Sequence, residues 1–146
     1  MADFIVKKKI ILFAKPRVVW DALTNPEKTK QYFFHCKVFS DWQKGSAITF
    51  QGRIFFFKKI ELKGEILAIE KEKLLKYTLR NGNSDSFSTV TDELTYVDGR
   101  TLLTIHDDVG KGEGAQKRYN RSMRAWDKVL EGLRKIVEER EVILAT

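Results

Sequence analysis

Cysteine is almost missing from this chain. A single residue, Cys36, cannot close an internal disulfide, and its solitude suits a reducing compartment, so the sequence predicts a cytoplasmic protein. Histidine is nearly as scarce. His35 and His106 are the only two, and adjacent His35-Cys36 lacks the ligand spacing of common zinc pairs. No metal and no cofactor are expected. Proline occurs twice, at Pro16 and Pro26, which argues against long unstructured linkers. No apolar run approaches the ~20 residues that a membrane-crossing helix needs. The opening MADFIVKKKIILFA places its lysines behind its first apolar residues, the reverse of an export signal. Nucleic-acid-reading motifs and low-complexity arms are missing too. The net charge of +7 therefore reads as a solvated basic surface, with neither nucleic acid nor membrane expected as a partner.

What is present describes an ordinary folded unit. With 146 residues, 42% hydrophobic and 32% charged, the chain can bury one sizeable core, and residues 1–146 are expected to form one domain. A first strand is predicted over residues 4–13. Pro16 suits a first helical position, and Val18, Val19, Ala22 and Leu23 give that helix an apolar side beside Trp20. Asn25-Pro26 ends it, because a residue before proline avoids helical geometry. A second short helix then runs from Pro26 to near Tyr32. Two such helices persist only by packing on something larger.

Strands follow one another at 38–41, 47–51, 55–62, 64–69, 74–80, 87–97 and 100–107. Gly45, Gly52, Gly64, Asn81-Gly82-Asn83 and Asp98-Gly99 mark the turns between them. After the glycine-rich link 110–114, residues 115–141 read as one helix. Tyr119, Met123, Trp126, Leu130, Leu133 and Val137 form its apolar stripe. The predicted fold class is α+β: a curved antiparallel sheet wrapped around a long C-terminal helix, with two short helices after the first strand. A twisted sheet and a straight helix do not fit flush. The short helices fill one end of the gap, and the rest is expected to become a cavity.

The tight turn at Asp98-Gly99 sets a register. It puts Val90, Asp92, Leu94, Tyr96, Thr101, Leu103, Ile105 and Asp107 on the face toward the helix. Asp92 and Asp107 become diagonal neighbours there. They would do acid–base work, with Tyr77 a third candidate, or anchor a cationic or hydroxyl-bearing ligand. Alternatively, Asp107 sits in water at the strand end and Asp92 bonds a buried partner. The aromatics carry a further expectation. Phe33, Trp42, Phe50, Phe55, Phe57, Tyr77, Phe87, Tyr119 and Trp126, with Met123 and Asp92, are candidates to line a pocket for a flat or lipid-like molecule. Simple core packing is the alternative. A Cys36–His106 nucleophilic pair has nothing to demand it, and Cys36 is expected to be half-buried and inert. In RIFFFKKI, Ile54, Phe56 and Ile60 fall on the side away from the helix, which would suit a homodimer contact. The link GKGEG lacks the spacing of a phosphate loop and reads as a hinge at the pocket mouth.

VVWDALTNPE, SDWQKGSAITF, KGEILAIEKEKLLKYTL, STVTDELTYVDGRTLLTIHDD and the Trp126 helix together resemble one family over residues 10–133. This is the activator of heat-shock chaperone ATPase homologue family, within the START-like, birch-pollen-allergen-like (SRPBCC) superfamily of helix-grip folds. Two departures stand out. Asp92 replaces the aromatic usual in the VT-aromatic-EL strand. Asp107-Asp108-Val109 stands where a polar or histidine-containing segment is common. The resemblance implies a pocket between sheet and helix. The leading expectation is a non-catalytic protein that binds a hydrophobic or aromatic small molecule. The second is a module that docks on a heat-shock chaperone, with Lys117, Arg118, Arg121, Arg124 and Lys128 as a basic face for it. The third is a cyclase or hydrolase using Asp92, Asp107 or Tyr77.

Overall fold

A computed structural model describes residues 4–54, 58–81 and 87–145, without the side chains of 54 and 139–145. Its elements run β1 (Ile5–Leu12), α1 (Pro16–Thr24), α2 (Pro26–Tyr32), β2 (Cys36–Ser40), β3 (Ala47–Ile54), β4 (Lys58–Glu70), β5 (Leu74–Asn81), β6 (Ser88–Val97), β7 (Arg100–Asp108) and α3 (Ala115–Ala145). The seven strands form one antiparallel sheet in the order β1-β7-β6-β5-β4-β3-β2. The helices cover one face of it, as the predicted α+β class requires.

The two short helices share a joint. Asn25 closes α1 with its backbone N–H on the Asp21 carbonyl and opens α2 by accepting from Glu27 N at 3.0 Å. The Tyr32 hydroxyl then donates to the Ala22 carbonyl at 2.6 Å, folding α2 back on α1. Thr29 is fully buried, and its hydroxyl takes the Val38 N–H at 3.0 Å. That bond fastens α2 to β2. Gly132 lets α3 approach the same corner, since a Cβ there would stand 2.8 Å from the Tyr32 Cβ. At the far edge, Lys8 of β1 pairs with Asp127 at 2.7 Å and the Phe13 N–H donates to Glu138. The long helix is thus held at both edges of the sheet.

The stripe on α3 faces inward: Trp126, Leu130, Leu133 and Val137 are buried against Leu12, Ile48, Ile66, Leu75, Leu103 and Ile105. Asp98 and Gly99 both have positive φ (48° and 79°), and the pairs Val97↔Arg100 through Val90↔Asp107 follow from that turn.

Four expectations are corrected. Gly52 and Gly64 are not turns: Gly52 sits inside β3, where a Cβ would overlap the His35 carbonyl oxygen. Gly64 sits inside the 13-residue β4, where a Cβ would overlap the Thr78 carbonyl oxygen. At both, glycine marks the close approach of two backbones. Tyr96 has inward parity but is 57% exposed, because the strand end runs past the helical cover. Ile60 is partly buried against the core, so it does not belong to an outward apolar face. The remainder of the dimer expectation, Ile54 and Phe56, falls on a side chain and a residue outside those described, as do the pocket candidates Phe55 and Phe57.

Candidate functional site

A cavity of about 450 Å³ opens between the sheet and the first half of α3. Six of its lining residues, Phe33, Val90, Asp107, Val109, Trp126 and Val129, are buried, so it reaches the interior. Leu62, Leu79 and Val90 supply the sheet wall, while Ser122, Ala125 and Val129 supply the helix wall. The hollow exists because Ser122 and Ala125 are small. Large residues at those two positions would fill it. Phe34, Asn81, Phe87 and Arg121 are exposed lining residues and form the mouth.

Trp126 is the inner corner. Its indole N–H donates to Asp107 Oδ2 at 2.9 Å, and its ring meets Phe33 edge-on at 6.2 Å. Phe33 stacks on Phe50 at 4.6 Å, which leads to Tyr77 at 6.1 Å. Such pairs add ~0.5–1.5 kcal/mol each beyond the area they bury. Phe34 and His35 follow in left-handed conformations (φ 50° and 59°), costly for non-glycine residues. That pair of bends turns Phe34 out to the mouth while Phe33 stays in the core.

Asp107 and Asp92 separate. Asp107 is 6% exposed and lines the cavity, with Ser122 Oγ donating to Oδ2 at 2.6 Å beside the Trp126 bond. Burial raises its pKa, against the lowering pull of those two hydrogen bonds. It is not the solvated strand-end acid of the alternative reading. Asp92 lies deeper, opposite Leu75 and Ile105. Burial, with a smaller contribution from the charge of Asp107, pushes its pKa up to about 8. Asp92 lines, with Tyr32 and Tyr77, a separate void of about 20 Å³, room for roughly one water molecule. Burial also raises both tyrosines, with the Asp92 charge adding to it. Asp92 and Tyr77 therefore share a space too small for a substrate, while Asp107 faces the larger one.

The other expected residues scatter. Phe33, Phe87 and Trp126 line the cavity, and Phe50, Tyr77 and Asp92 line the small void. Trp42 borders a groove near Phe39 instead. Tyr119 packs against Phe4 at 6.3 Å, and Met123 packs on the core. Cys36 is wholly buried rather than half-buried, and burial raises its thiol pKa. Four strands separate it from His106 on β7. Among the described residues, no group of three His, Cys, Asp or Glu side chains is placed to hold a metal ion.

The glycine-rich link is laced rather than free. Gly110, Gly112 and Gly114 all have positive φ. The Arg118 guanidinium donates to the carbonyls of Val109, Glu113 and Lys111 at 2.9, 2.9 and 3.3 Å. Arg118 thus leaves the basic face to hold the loop, whereas Lys117, Arg121, Arg124 and Lys128 stay exposed.

Sheet, terminal helix and the hollow between them define a helix-grip protein of the START-like kind. The chain belongs to the family of activator of Hsp90 ATPase homolog 1-like proteins, whose profile matches residues 14–138. Solved structures share the fold. ChR145 from Cytophaga hutchinsonii is 31% identical, with a TM-score of 0.72 over 97% of this chain and 99% of its own. NE0264 from Nitrosomonas europaea is 17% identical, with a TM-score of 0.78 over 97% and 99%. DynU16, a protein of the dynemicin biosynthetic locus, is 19% identical, with a TM-score of 0.77 over 94% of this chain. This chain spans 48% of DynU16. No curated protein sequence matches the chain. Among the described residues, no helix is long and apolar enough to cross a membrane.

Proposed function

We propose that the protein binds an apolar or aromatic small molecule in the cavity between the sheet and α3, without catalytic turnover. The observation that carries this reading is a hollow of about 450 Å³ with interior walls, within the ~300–1,000 Å³ range of ligand pockets. Aliphatic and aromatic side chains make up most of its walls, and Asn81, Ser88, Asp107, Arg118, Arg121 and Ser122 supply polar groups to orient a guest. Three other grooves are larger, at about 590, 550 and 560 Å³, but the one beside Phe39 and Trp42 has a single buried wall residue, Val38. Water held against apolar walls is readily displaced by an apolar guest.

The test is to fill the space. Ala125→Phe projects a ring into the cavity from the helix wall. The dye 8-anilinonaphthalene-1-sulfonate is expected to bind the wild type saturably, one per chain. The variant should bind at least ~10-fold more weakly, because even one methylene-sized misfit in an apolar pocket costs about that much or more. Its melting temperature should not fall. Undiminished dye binding in a folded variant would overturn the reading.

Chaperone docking is the second reading. It draws on the family description and on the exposed cations Lys117, Arg121, Arg124 and Lys128. Filling the cavity would leave that docking intact, whereas charge reversal at Arg124 and Lys128 would weaken it.

A further inference from the structure

Asp107 has one oxygen in use and one idle. Oδ2 receives both Ser122 Oγ (2.6 Å) and Trp126 Nε1 (2.9 Å). Oδ1 is buried and has no hydrogen-bond partner among the described residues. The Ser88 hydroxyl stands near enough to favour the charged carboxylate, yet it completes no bond to Oδ1. Asp107 lines the cavity together with Ser88, Ser122 and Trp126. A carboxylate offers about four acceptor sites, and folded proteins rarely leave such a buried atom unpaired.

We propose that the molecule held in this cavity carries a hydroxyl group that donates to Asp107 Oδ1. This inference rests on the binding reading above and narrows it to a ligand class: an apolar, aromatic body with a hydroxyl directed at the inner wall. Two donors already occupy Oδ2, so Oδ1 is the carboxyl oxygen left to accept from a group in the cavity. A cationic amine would satisfy Oδ1 equally well, but it would enter past Arg121 and Arg118, which also line the cavity, in a chain of net charge +7. A neutral hydroxyl avoids that repulsion and still meets the acid. Position is fixed twice: Trp126 holds the carboxylate in place, and the rings of Phe33 and Trp126 flank the entering body.

The test compares two probes of nearly equal shape, 2-naphthol and 2-methoxynaphthalene, by isothermal titration against the full chain. The wild type should bind 2-naphthol at least about tenfold more tightly, the scale of one hydrogen bond to a charged acceptor. Asp107→Asn can still accept from Ser122 and Trp126 while turning its amide N–H₂ toward the cavity. It should bind both probes within about twofold of each other. Equal affinities in the wild type, or a preference unchanged in Asp107→Asn, would overturn the hydroxyl assignment while leaving the cavity reading intact. Failure of both probes to bind folded wild type would remove the cavity reading and this inference with it. The wild-type ratio is decisive even where the variant does not fold.

Discussion

Replacing Asp92 with asparagine is expected to raise the melting temperature at pH 8, by on the order of 10 °C, and to flatten its dependence on pH. Asp92 is 3% exposed and its Oδ1 has no hydrogen-bond partner among the described residues. Burial moves its pKa from 3.8 to about 8. The folded chain therefore keeps a proton that the unfolded chain releases above about pH 4. Stability from this group is complete below the unfolded value and drains away as pH rises toward about 8, beyond which it is level. A shift of that size corresponds to several kcal/mol at pH 8, at ~1.4 kcal/mol per unit. At ~2–4 °C per kcal/mol for a protein of this size, the loss is large enough to read in a thermal scan. Asparagine has the shape of the protonated acid and no charge to bury, so its advantage should appear at pH 8 and shrink by pH 5. Asp107, also raised, pulls in the same direction and will leave a residual slope. Equal wild-type stability at pH 5 and pH 8 would contradict the burial of Asp92 as an acid that holds its proton in the folded chain.

The second large effect belongs to Trp126. Truncation to alanine should cost ~3–5 kcal/mol, the range for removing a large buried aromatic. The ring is 8% exposed and holds Phe33, so its loss opens the inner end of the cavity to the core. It also withdraws one of the two donors on Asp107 Oδ2. Urea unfolding should show a lower midpoint at an unchanged slope, since the surface exposed on unfolding is hardly altered. Trp126→Phe separates the two contributions. It keeps much of the packing and removes the indole N–H with part of the ring, so it should cost ~1–3 kcal/mol, less than Trp126→Ala. A loss below about 1 kcal/mol for Trp126→Ala would mean that the helix is not clasped through this side chain.

These two side chains also show which parts of the molecule are legible in the amino-acid sequence. Trp126 was recoverable because helical periodicity is a strong signal over a long element, and α3 spans 31 residues. Asp92 was recoverable because the Asp98-Gly99 turn sets the parity of both neighbouring strands, and the observed pairs agree. Parity alone does not measure cover, which is why Tyr96, two residues from Leu94 on the same face, ends in solvent. Gly64 reads as punctuation in one dimension, while its actual reason is the Thr78 carbonyl on the neighbouring strand. The register shift between Ile66 and Ala68 likewise leaves no local mark.

The cavity was legible in principle and not in place. A mismatch between rod and twisted sheet calls for hollow volume somewhere, and the large aromatics drew the expectation toward themselves. Large side chains fill space, however. The stack from Trp126 through Phe33 and Phe50 to Tyr77 became core, leaving about 20 Å³ beside Asp92. The open volume lies where Ser122 and Ala125 face Leu62, Leu79 and Val90. Two small helical residues at a spacing of three are the sequence signal for it, offset from the apolar stripe. The mouth was less accessible still, because nothing in Phe34-His35 announces two successive left-handed residues.

The central claim is that the hollow between sheet and terminal helix is where a guest resides. Amide chemical-shift mapping by ¹H–¹⁵N NMR, with 2-naphthol titrated into the labelled chain, addresses it residue by residue. Saturable shifts are expected to gather at Leu62, Leu79, Val90, Ala125 and Val129. Shifts gathered instead at Phe39 and Trp42, or spread evenly over the surface, would contradict the claim.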